Sequence, residues 1–197
     1  MKPRQRDSDY LLSENSNLNH YPTKENRIMD KWEELSTDAM DYHQKGDLGK
    51  AEELFTAAVE ASEQYGEDDP RLANCLDNLA WIFQARNKLA EAEPVLKRSL
   101  AIMERSKGAD HEDNAWILAT LGSVCSTLSK FDESENYYRK ALSISETAFG
   151  PDNMNVAIGL EKCAEVLRKT NRDSEAEEME TRAKEIRAKN PPPPDKG

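Results

Sequence analysis

Gly66-Glu67-Asp68, Gly108-Ala109-Asp110 and Gly150-Pro151-Asp152 stand 42 and 42 residues apart, and one apolar skeleton follows each of them. It reads Leu72-Ala73, Leu76, Leu79-Ala80 and Phe83 in one copy, and Asn114-Ala115, Leu118, Leu121-Gly122 and Cys125 in the next. The last copy is Val156-Ala157, Leu160, Cys163-Ala164 and Leu167. Steps of three and four residues place each set on one side of a helix. A polar break ends each helix, at Arg86-Asn87-Lys88, Leu128-Ser129-Lys130 and Thr170-Asn171-Arg172. Second helices follow, carrying Leu96, Leu100 and Ile102 in one copy and Tyr138, Ala141, Leu142 and Ile144 in the next. An earlier copy runs Leu35, Ala39, Tyr42, the turn Lys45-Gly46-Asp47, then Ala51, Leu54, Phe55 and Ala58. A fixed period of this length is the signature of a stacked array. It divides 28–190 into four helix–turn–helix units at about 30–67, 68–109, 110–151 and 152–190.

The boundaries have local causes. Gly66, Gly108 and Gly150 sit where a helix must stop, and the left-handed backbone that ends one is open to glycine. Asp68, Asp110 and Asp152 are expected to cap the next helix, with His111 in the same role beside Asp110. Pro70 fits a first helical turn, where no amide bond is lost. Small residues form two columns, Ala39, Ala80, Gly122 and Ala164 in the first helices and Ala51, Ala92, Ser134 and Ala176 in the second. Matched small side chains let paired helices approach, and stacking pairs in series buries what one pair cannot. The last helix carries only Ala176, Met179, Ala183 and Ile186 on one stripe, as expected where an array closes against water.

Composition narrows the function. The chain of 197 residues holds 27 Lys+Arg against 38 Asp+Glu, a net charge of −11. Such acidity repels phosphate backbones and anionic lipid, which argues against nucleic-acid or membrane-surface binding. With 37% apolar and 33% charged residues, the chain suits a thin helical array with much surface. No apolar run approaches the roughly 20 residues of a membrane span. Met1-Lys2-Pro3-Arg4-Gln5-Arg6 is basic but is followed only by Leu11-Leu12, which predicts no secretory leader. Cys75, Cys125 and Cys163 are odd in number and far apart, the pattern of reduced thiols in a cytoplasmic protein. Residues 1–27 read as a disordered polar arm, and 191–197 as a proline-rich spacer that cannot continue the helix.

The columns Leu76, Leu79-Ala80, Phe83, Ala92 and Leu96 resemble a tetratricopeptide repeat. The unit of 42 residues, with Gly108-Ala109-Asp110-His111 and Asn78-Leu79-Ala80, resembles the longer variant of kinesin light chains. The resemblance covers about 30–189 and implies an all-α, right-handed superhelical solenoid of about four antiparallel helix pairs. Two positions depart from it: Asp38 where other units have Leu79, Leu121 and Cys163, and Glu180 where they have Leu96 and Tyr138. The heptad region of the kinesin family is missing, so kinesin association is not implied.

The resemblance also implies a groove lined by the first helices, holding a peptide or partner helix. By position its lining is Asn74, Asp77, Asn78 and Trp81, then Trp116, Ala119, Thr120 and Ser123, flanked by Thr37, Met40 and His43 and by Glu161, Lys162 and Glu165. A helical wheel independently sets Asn74, Asn78 and Trp81 on a face distinct from Leu76, Leu79 and Phe83. Asn78 offers donor and acceptor to any peptide backbone. Trp81 and Trp116 are aromatic anchors or inter-repeat packing, whereas Trp32 reads as core.

Catalysis finds no support. His20, His43 and His111 are scattered, the three cysteines lie on or beside apolar stripes, and no phosphate cradle or nucleophile elbow occurs. No catalytic residue, metal or cofactor is therefore expected. Glu133, Glu135, Glu175, Glu177 and Glu178 read as solvated faces. Co-chaperone repeats clamp a carboxylate with Lys and Arg, but the corresponding positions here are Ser36, Met40, Asn78, Trp116 and Thr120, so no such clamp is expected. The expected function is a non-catalytic adaptor for a neutral or basic protein or peptide, its binding weakened by salt. The rival is a structural module that self-associates through its end helices. Oligomeric state stays open.

Overall fold

Each polar break separates two helices. A computed structural model describes residues 30–191; the polar arm expected at 1–27 and the proline tail beyond Pro191 lie outside the described residues. The helices are α1 (Lys31–Gln44), α2 (Leu48–Ser62), α3 (Pro70–Ala85), α4 (Leu89–Lys107), α5 (Asp113–Thr127), α6 (Phe131–Phe149), α7 (Met154–Lys169) and α8 (Asp173–Lys189). A single 3-10 turn at Glu63–Tyr65 extends α2, and no strand occurs among the described residues. Each helix packs on its sequence neighbours, most extensively within the pairs α1–α2, α3–α4, α5–α6 and α7–α8 and next between successive pairs. Nearest-neighbour packing of this kind makes an all-α solenoid of four helix pairs.

The turn within each pair is one motif used four times. The Lys88 amide donates to the Phe83 carbonyl at 2.7 Å and the Asn87 amide to Gln84 at 2.9 Å, and the same two bonds recur at Asp47/Gly46, Lys130/Ser129 and Arg172/Asn171. This is the Schellman closure of a helix, whose penultimate residue needs a left-handed backbone. Gly46 supplies it at φ 81°, while Asn87, Ser129 and Asn171 adopt φ 58°, 61° and 60°.

Between pairs the backbone differs from expectation. Gly66, Gly108 and Gly150 have φ 113°, 98° and 87° with ψ near 155°, an extended form essentially reserved for glycine rather than the left-handed helix. The N-caps of α3 and α7 are accordingly Asp69 and Asn153, one residue beyond the expected aspartates, and His111 takes the equivalent place just before Glu112 at the start of α5. Asp69 Oδ1 accepts from the Arg71 amide at 2.8 Å, His111 Nδ1 from Asp113 at 3.3 Å and Asn153 Oδ1 from Asn155 at 2.8 Å. Two of the aspartates expected to cap bind elsewhere. Asp68 pairs with Arg105 and Asp152 with Lys189, tying each loop to the end of its own second helix. Pro70 opens α3 as expected.

Both small columns are buried. In the third unit the fit is tightest: a Cβ on Gly122 would lie 2.8 Å from the Tyr138 ring, and Ser134 Oγ donates to the Gly122 carbonyl at 2.7 Å. One apolar core runs from Ala39 to Ile144, and smaller clusters around Leu160, Cys163 and Ala164 serve the last pair. Ala176, Ala183 and Ile186 are buried on α8, with Met179 packed beside them.

Candidate functional site

Asn74, Asn78 and Trp81 succeed one another at four and three residues on the side of α3 opposite its buried stripe of Leu72, Leu76, Leu79 and Ile82. The same stripe recurs in register as Trp116, Thr120 and Ser123 on α5, as Ile158, Lys162 and Glu165 on α7, and as Thr37 and Met40 on α1. Three large apolar side chains on it meet solvent: Trp81 at 36% exposure, Trp116 at 49% and Ile158 at 45%. Asn74 is exposed and Asn78 half-buried. Both carboxamides are without a side-chain hydrogen bond among the described residues. His43 reaches across from α1 and sets its ring 4.0 Å from that of Trp81, which holds the indole in place between two units.

Other expected lining residues are engaged already. The Thr120 hydroxyl donates to the Trp116 carbonyl at 2.9 Å, and Thr37 does the same to Glu33 at 2.8 Å. Lys162 Nζ lies 2.9 and 3.0 Å from the Glu165 carboxylate. Glu161 takes two bonds from Arg187 at 2.6 and 2.8 Å, which hold its carboxyl below the usual range. Ser123 is exposed, and Ala119 packs against the core around Tyr138 and Cys163. Asp77 is partly turned inward: its Oδ1 is sealed without a partner, and burial pushes the carboxyl up to about 7 against a small opposing pull from the Ser99 hydroxyl. Ile158 was not among the expected residues, although it stands 42 residues after Trp116 in the same column.

The tetratricopeptide repeat family model matches at 36–105, 84–147 and 128–189, together nearly all of the helical region. The chain belongs to the tetratricopeptide repeat family. Among solved structures it is similar to BtubC (BKLC) from P. vanneervenii, at 24% identity and a TM-score of 0.76 over 88% of this chain and 72% of that one. A protein from Podosopora anserina, described as a kinesin light chain of nearly identical tetratricopeptide-like repeats, aligns at 18% identity and a TM-score of 0.71, over 83% and 78% of the two chains. The apo form of RapI aligns at 15% identity and a TM-score of 0.73, over 85% and 59%. No curated protein matches the chain. At these identities the likeness is one of fold. The tetratricopeptide repeat is a scaffold for protein–protein contact and is generally non-catalytic. No helix among the described residues is long and apolar enough to cross a membrane.

A second recurring constellation lies away from the stripe and corrects the reading of Glu135 as solvated. Glu52, Glu93 and Glu135 occupy one position in α2, α4 and α6, and each accepts from the residue that opens the second helix of the following unit. Lys88 reaches Glu52 at 2.8 Å, Lys130 reaches Glu93 at 2.7 Å and Arg172 reaches Glu135 at 2.6 Å. These cations stand at the N-cap positions of α4, α6 and α8, none of which makes a side-chain capping bond. The ladder fixes the register of one pair on the next. Glu93, Cys125 and Glu133 also bring ligand atoms within 4.8 Å of one another. Lys97 and Lys130, at 2.7 Å each, already occupy the Glu93 oxygens and hold its carboxyl low. Burial pushes the Cys125 thiol up to about 11, so it keeps its proton. All three cysteines are free and buried.

Proposed function

We propose that the stripe on α1, α3, α5 and α7 forms a groove in which this tetratricopeptide protein holds an extended segment or helix of a partner, acting as a non-catalytic adaptor in the cytoplasm. One observation carries the reading. In a chain whose other large first-helix apolar residues are buried or half-buried, Tyr42 near the end of α1 excepted, Trp81, Trp116 and Ile158 stay exposed on the layer that also presents Asn74 and Asn78. Aromatic side chains with carboxamides between them are the makings of a binding hot spot, since the rings supply desolvation and the amides supply backbone pairing. The self-associating role is served poorly. The outward residues of α8, among them Glu177, Glu178, Thr181, Arg182 and Glu185, offer no apolar face, and Asp38 is exposed where inner units bury Leu79 and Leu121.

The test compares partner capture by the wild type and by Asn78→Ala and Trp116→Ala, with melting curves on all three. Capture falls in both variants while the melting temperature barely moves. Unfolding of both variants makes these residues core and removes the groove. Light scattering across concentration should show one small species when no partner is present.

A further inference from the structure

The middle of the exposed stripe, on α3 and α5, carries no charge. On α3 and α5 it consists of Asn74, Asn78 and Trp81, then Trp116, Thr120 and Ser123, none ionisable. On α7, Lys162 and Glu165 pair with each other at 2.9 Å. At the edge of α7, Arg168 is held by Glu180 at 2.8 Å and Asp173 at 3.3 Å, and Lys169 donates to Ser126 Oγ at 2.9 Å. Asp77, the one carboxylate between Asn74 and Asn78, has an oxygen sealed from solvent. The net charge of −11 therefore lies mostly off α3 and α5, on the second helices, on α1 and in the turns between pairs. A charged guest laid along α3 and α5 would lose hydration and find no counter-charge on the stripe there, a net cost. An uncharged guest loses little and gains the area of two indoles and an isoleucine.

Resting on the groove reading above, we infer that the occupant is an uncharged stretch of a partner chain carrying apolar or aromatic side chains. It is held by burial against Trp81, Trp116 and Ile158 and by carboxamide hydrogen bonds, without ion pairs. Trp116 and Ile158 occupy equivalent positions in adjacent units, so they present two apolar contacts one repeat apart. Trp81 is fixed by His43 before any guest arrives, which lowers the ordering cost of binding. The inference narrows the neutral or basic partner expected from net charge to a neutral one, because the stripe on α3 and α5 presents no charge to attract a basic segment.

The probe is a displayed library of random peptides of about 15 residues, about 50 Å when extended, selected on the full chain. Net charge of the selected peptides is read first. The dissociation constant of the strongest is then measured from about 50 to about 500 mM salt, a range over which exposed charge pairs are screened. The expected winners are near neutral and rich in apolar residues, and their affinity changes less than about twofold with salt. Trp116→Ala weakens them about tenfold or more, as for an aromatic hot spot, and Ile158→Ser does so in parallel. Selection of strongly charged peptides whose binding collapses in salt but still depends on Trp116 overturns the inference and leaves the groove standing. Peptides that bind both variants as well as the wild type, or no selected peptide at all, overturn the groove reading and the inference with it.

Discussion

Asp77 gives the sharpest test of the structure. Its Oδ1 is sealed inside α3's surroundings without a partner, and its carboxyl titrates at about 7, against about 3.9 in an unfolded chain. A raised carboxyl means the folded state holds its proton more tightly than the unfolded state. The group therefore does no harm below pH 4, and stability falls as pH rises from about 4 to about 7. Linkage at about 1.4 kcal/mol per unit gives a ceiling of about 4 kcal/mol in all, of which about 2–3 kcal/mol is lost between about pH 5 and pH 8. Part of the residue still meets solvent, which screens the charge and reduces the expected loss to about 1–2 kcal/mol. Asp77→Ala removes the penalty without an odd cavity, because Ala119 stands at the same position one unit later. Urea unfolding of both proteins at pH 5 and pH 8 measures the effect. The variant gains on the wild type by about 1–2 kcal/mol as pH rises. Parallel pH profiles for the two proteins would refute the burial of this carboxyl.

Other expectations follow from the packing. Gly122→Ala drives a methyl into the Tyr138 ring and should cost about 1–2 kcal/mol by chemical denaturation, since overpacking outweighs the gain in helix propensity. The double variant Gly122→Ala with Tyr138→Leu recovers most of that loss, because Ala80 facing Leu96 is the same pair one unit earlier. Ser129→Gly should raise stability by about 0.5–1 kcal/mol, read as a higher urea midpoint, because Ser129 holds φ 61°, a backbone strained for a side chain. A peptide ending in EEVD should show no heat of binding in calorimetry. The clamp positions Ser36, Met40, Asn78, Trp116 and Thr120 hold no cation, and affinity that vanished on C-terminal amidation would contradict this.

What the sequence discloses here depends on whether the cause lies within one unit or between two. The eight helices were legible because Leu76, Leu79 and Phe83 recur as a column with a fixed period, and the small columns disclosed where paired helices touch. The caps were displaced by one residue because the glycine adopts an extended backbone, not a left-handed one. Reading Asp69, His111 and Asn153 down their own column would have found three good acceptors in register. The ladder from Glu52, Glu93 and Glu135 to Lys88, Lys130 and Arg172 was invisible along the chain, because each bond joins consecutive pairs and a lone glutamate on a polar helix resembles a solvated one. Ile158 escaped for a related reason: an isoleucine on an amphipathic helix reads as core until its column partner Trp116 is known to face outward. Side chains that build the array are recognised by what they share across units. Candidate binding residues are recognised by the opposite sign, since Asn74, Trp116 and Ile158 hold one position with three different chemistries. A position that packing leaves free to vary in this way, while its neighbours keep the array intact, is where a repeat protein can acquire specificity without losing its fold.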